Sequence, residues 1–156
     1  MTGIVNSTGA RSGVIGTTVG TPASKIVQVA YSQTASPATV SSTSTTIVSS
    51  GLSVTITNLV SGNPVLLSFS SGVGVSSSGE SHREFYRGST RLGAGGYGMV
   101  NINSSTFREW NMTWIDTGHG GGTHTYYVYH KTGGAGTSYI VWSTSYYNFS
   151  ATEITA

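Results

Sequence analysis

The chain has 156 residues, of which 8% are charged, and no cysteine; its formal net charge of +2 is the balance of seven Lys and Arg against five Asp and Glu. An ordinary domain carries about 25% charged residues; here Ser, Thr and Gly replace them, so hydration rests on hydroxyls and backbone, and weak charge repulsion favours self-association. This composition excludes a disulfide framework, thiolate metal sites and a cysteine nucleophile. It also argues against nucleic-acid binding, because the densest cationic group, Arg83, Arg87 and Arg91, is interrupted by Glu84.

The length suits one domain with a short appendage. Residues 1–24 form the appendage. Gly3, Gly9, Gly13, Gly16 and Gly20 recur through it, which disfavours helix and leaves few side chains to bury. The segment is expected to be an extended arm that takes up order only against a partner. Its anchors would be the apolar residues Ile4, Val5, Val14 and Ile15, with Arg11. These apolar residues never join into a continuous run, so neither a signal peptide nor a membrane span is expected.

Residues 25–156 read as an all-β domain. Period-2 alternation indicates half-buried strands. Leu52, Val54 and Ile56 alternate with Ser53, Thr55 and Thr57, and Val65, Leu67 and Phe69 follow Pro64. The Ser/Thr-rich run Ser41–Ser50 is predicted to be a strand with hydroxyls on its outer face, better buried near Ile47 and Val48. Further strands are predicted at Val100 and Ile102, from Phe107 to Asp116, around Tyr126 to Tyr129, around Tyr139 to Trp142, and from Phe149 to Thr155. Glycine-rich turns separate them, as at Ser61–Pro64, Gly93–Gly96, Gly118–Gly122 and Thr132–Gly136. Eight or nine such strands imply an antiparallel β-sandwich, jelly-roll-like in architecture.

No motif in the chain carries catalysis or a cofactor. His82, His119, His124 and His130 show no HxH or HExxH spacing, and His124 and His130 would lie roughly 20 Å apart along one strand. They read as surface or interface histidines; a metal site would need several copies of one histidine meeting on a symmetry axis. With five acids in the chain few carboxylate pairs are available; Glu84 and Glu109 could approach across a sheet, but nothing sets their acidities apart as a glycosidase needs. The serines lack a GxSxG elbow. Trp110, Trp114 and Trp142 could stack on sugars, but their alternation with polar residues favours core or interface packing, since large rings dominate packed surfaces, and with Tyr127 and Tyr129 they are expected at an oligomer interface.

Three stretches together resemble a family. They are MTGIVNSTGARSGVIGT at Met1–Thr17, then IVQVAYSQTASPATVSS and GLSVTITNLVSGNPVLLSFS within Ile26–Ser70, and YRGSTRLGAG at Tyr86–Gly95 followed by a tyrosine-rich hairpin and the ending SATEITA. The chain resembles short β-rich virion structural proteins of tailed bacteriophages, especially those of marine bacteria and cyanobacteria. The resemblance implies a jelly-roll-like trimer on the particle exterior, held to capsid or other virion proteins by its N-terminal arm. It lacks the collagen-like, coiled-coil or β-helical shaft of a long fibre. A capsid decoration, cement or short head-fibre protein is therefore expected first. A tail-fibre or receptor-binding adhesin comes second, gripping host glycans near the Thr117–Thr123 turn. A secreted carbohydrate-binding module outside any phage comes third.

Overall fold

A computed structural model describes residues 25–34, 39–76, 79–93, 99–103, 108–142 and 146–155. The 1–24 arm, with Ile4, Val5, Arg11, Val14 and Ile15, lies outside the described residues. The described chain forms eleven strands: β1 (Ile26–Thr34), β2 (Val40–Ser42), β3 (Val48–Leu59), β4 (Val65–Val75), β5 (Ser81–Arg87), β6 (Thr90–Arg91), β7 (Val100–Ile102), β8 (Arg108–Asp116), β9 (Gly122–Thr132), β10 (Ser138–Val141) and β11 (Tyr147–Ile154).

The strands build two antiparallel sheets. In the first, β4 is central, with β8 on one side and β11 on the other. Strand β10 continues the line of β11 along β4: Tyr147 faces Ser71, and Tyr139 faces Gly74. Strands β1 and β2 continue one another in the same way, outside β11 and β10. In the second sheet the order is β3, β9, β5, with β6 and β7 sharing the far edge of β5. Each sheet is thus four lines wide, and the fold is an all-β sandwich, as the alternation predicts.

The inward faces follow the period-2 pattern residue by residue. Leu52, Val54 and Ile56 of β3, Val65, Leu67 and Phe69 of β4, and Tyr126 and Val128 of β9 all enter one core. Phe85 of the second sheet stacks on Phe149 of the first, with centroids 5.5 Å apart, and Phe69 meets Phe149 edge-on at 5.8 Å. These rings fix the spacing of the two sheets.

One expectation needs correction. Ser41–Ser50 is not a single strand, because β2 ends at Ser42 and β3 starts at Val48. Between them the Ser44 hydroxyl donates to Thr46 O and accepts from Thr46 N–H, while Ser44 N–H bonds the Ser42 hydroxyl. Short hydroxyl side chains compete with the ladder in this way. The turn they make carries the chain from the first sheet to the second.

Candidate functional site

Strand β1 forms one edge of the first sheet, and among the described residues it pairs only with β11. It runs for nine residues, IVQVAYSQT, without a charge. Ile26 is 68% exposed, Val27 47%, Val29 53% and Tyr31 67%. Natural edge strands are blunted by inward charges, Pro, bulges or brevity. This one has a register shift between Ile26 and Gln28, and uninterrupted pairing from Gln28 to Thr34. The opposite edge, β8, carries Arg108, Glu109 and Asp116.

The five aromatic residues expected at an interface do not form one patch. Trp110 and Trp114 lie on β8, on the same side as buried Met112, and remain 39% and 37% exposed. Trp142 follows β10 and meets Tyr139 edge-on at 4.7 Å. Tyr127 and Tyr129 sit on the outer face of the second sheet, half-buried. Tyr86, which sequence reading did not single out, joins them: its ring stacks on Tyr129 at 3.9 Å, and Tyr127 meets Tyr129 edge-on at 6.5 Å. Register explains the cluster, since Tyr86 faces Tyr127 across β5 and β9 and Glu84 faces Tyr129.

The ionisable groups are largely absorbed into the fold. Arg83, Arg87 and Arg91 form no basic patch. Arg83 points inward and is 1% exposed, donating to Tyr139 O at 2.7 Å. Burial pulls its pKa down to about 9. Arg87 bonds both oxygens of Asp116, at 2.9 and 2.7 Å. Arg91 pairs with buried Glu84. Glu84 and Glu109 do not meet: they lie on β5 and β8, in different sheets, each on the outward side of its strand.

The histidines also depart from expectation. His82, His119 and His130 are buried rather than on the surface. His119 donates from Nε2 to Asn63 O at 2.6 Å and accepts Gly121 N–H at Nδ1 at 2.9 Å. His124 bonds Gly121 O through Nε2, and Gly118 N–H bonds Asp116. His119 and His124 are therefore spent in holding the 117–123 turn together and tying it to the neighbouring Val60–Pro64 turn. Among the described residues no group of three His, Asp or Glu is placed to hold a metal ion.

His130 faces Arg83 across β9 and β5 inside the sandwich. Burial, reinforced by repulsion from the Arg83 cation, pulls its pKa down to about 4. The unfolded chain accepts this proton near pH 6.5, whereas the folded chain refuses it until about pH 4. Stability therefore falls as pH drops through that window and is level above it, with a span of about 3 kcal/mol. Urea titrations between pH 4 and 7 should show this slope, and His130→Gln should flatten it. Glu153 acts lower down. Removal from water opposes its ionisation, but bonds from Gln28, Val60 N–H and Asn63 outweigh that and hold its pKa below the ordinary range.

No protein-family model matches the chain, and no curated protein is significantly similar to it.

Proposed function

We propose that the chain is a structural subunit of a tailed-bacteriophage virion, a trimeric capsid decoration, cement or short head-fibre protein that acts by buried area and not by chemistry. The observation that carries the reading is the β1 edge: long, uncharged, and bearing four exposed apolar side chains. Such an edge is an aggregation hazard in a free monomer and an asset where another chain covers it. Residues 1–24 run directly into it and would supply the anchor to the particle through Ile4, Val5, Val14 and Ile15.

The strand order supports a jelly roll. Counting β1 with β2 as the first line and β10 with β11 as the last, the sheets run first, last, third, sixth and second, seventh, fourth, fifth. That is the order of two interlocked Greek keys. In this reading the protein needs no cofactor and sits on the outside of the particle.

The full-length chain is expected to sediment as a trimer and to be recovered from purified particles. Lysine at both Val29 and Tyr31 should convert the trimer to a monomer that keeps the parent's β-sheet circular-dichroism spectrum, because both side chains are exposed in the single chain; its melting temperature should fall to that of the dissociated parent. A parent chain that stays monomeric at high concentration, and does not bind particles, would remove the basis of the proposal.

A further inference from the structure

On the outer face of the first sheet, away from the core, four polar side chains stand in one transverse row. Gln33 of β1 faces Asn148 of β11, Asn148 faces Ser70 of β4, and Ser70 faces Asn111 of β8. At about 4.8 Å between strands the row spans roughly 14 Å. It lines a groove of about 480 Å³, with Glu109 and Tyr146 also on its walls. Gly72, opposite Glu109, puts no side chain on this face and leaves the groove open there. Tyr146 is 68% exposed.

Among the described residues, the side chains of Gln33, Ser70, Glu109, Asn111 and Asn148 make no hydrogen bond or ion pair with one another or with the rest of the fold. This contrasts with the buried polar groups at the Val65 end of the first sheet, Asp116 and Glu153, which are tied into the fold. Three amides and a hydroxyl are left facing the groove in a row, with a carboxylate and an exposed phenol ring beside it.

We infer that this groove is a binding site for a neutral oligosaccharide. An amide both donates and accepts, which matches the paired hydroxyls of a sugar ring, and a carboxylate accepts from two hydroxyls at once. The Tyr146 ring offers an apolar face with a polar tip, suited to the C–H face of a sugar. Among the described residues the groove is lined by Glu109 and by no Lys or Arg, so a phosphate or sulfated chain would meet repulsion. A peptide strand would seek main-chain partners, but on the floor of the groove the ladders of β4 to β11 and β8 already use those of β4. The site sits apart from the Thr117–Thr123 turn. It does not depend on the virion reading, although it would give an adhesive role its contact surface.

The test is titration of the full-length chain with a panel of neutral oligosaccharides (gluco-, manno-, galacto- and xylo-series), with heparin as the anionic control and oligomeric state measured in parallel. Binding of at least one neutral series is expected. Asn111→Ala, Asn148→Ala and Tyr146→Ala should each weaken it tenfold or more without moving the melting temperature, while Tyr129→Ala, on the other sheet, should leave it unchanged. The inference is overturned by binding to no neutral series, by binding to heparin alone, or by binding that survives in the Asn111→Ala/Asn148→Ala double variant. Loss of trimer with retained sugar binding would count against the virion proposal only.

Discussion

Asp116→Ala should lower the free energy of unfolding by about 3–5 kcal/mol, the cost of removing one partner from a buried ion pair. Asp116 is 4% exposed and ends β8 at the mouth of the sandwich. It accepts both bonds from Arg87, a third from the Tyr126 hydroxyl at 2.9 Å and a fourth from Gly118 N–H at 3.0 Å. It thus joins β5, β8, β9 and the following turn. Without it the Arg87 cation and the Tyr126 hydroxyl are left in a poorly hydrated end of the core. Burial, then the adjacent Asp116 charge, already pushes the Tyr126 phenol well above its ordinary pKa. Tyr126→Phe should cost less, about 1 kcal/mol, because it deletes one bond and no charge. Urea unfolding of the two single variants and the double gives a coupling energy. An additive double variant would show that the network does not act as a unit.

Phe149→Ala should cost about 3–5 kcal/mol, with Phe149→Leu costing markedly less. Phe149 is fully buried and touches rings from both sheets, Phe85 across the sandwich and Phe69 beside it. Truncation would leave a void between sheets that their ladders hold apart. Total stability of a domain this size is about 5–15 kcal/mol, so either alanine variant should consume a large share of it. Thermal melts of Phe149→Ala beside Thr55→Ala, an exposed change on the outer face of β3, would separate the core effect from a general one. A loss under 1 kcal/mol for Phe149→Ala would mean that the sheets collapse to fill the void.

Much of the architecture was legible in the alternation. Leu52, Val54, Ile56, Val65, Leu67 and Phe69 reach the core as their period demands, because a strand side chain has only two directions to point. The Ser41–Ser50 run misled for a local reason: hydroxyls that suit an outer strand face also close turns, and Ser44 does the latter. The histidines misled for a non-local one. His82, His119 and His130 look like surface residues in sequence, yet each is buried. For His119 and His130 the partners come from elsewhere in the fold, Asn63 O and Ser138.

The residues alone determined that this is an all-β chain with an unusual N-terminal segment and no thiol chemistry, since strand periodicity and residue inventory are local properties. Only the tertiary structure decided which polar residues are spent and which are free. Arg87, Asp116, Glu84 and Arg91 cancel in pairs. Gln33, Ser70, Asn111 and Asn148, scattered over more than a hundred positions of sequence, fall into one unpaired row. The register between strands distant in sequence made that selection. It is set by how the two hydrophobic faces pack, a property of the whole sandwich that no single strand carries.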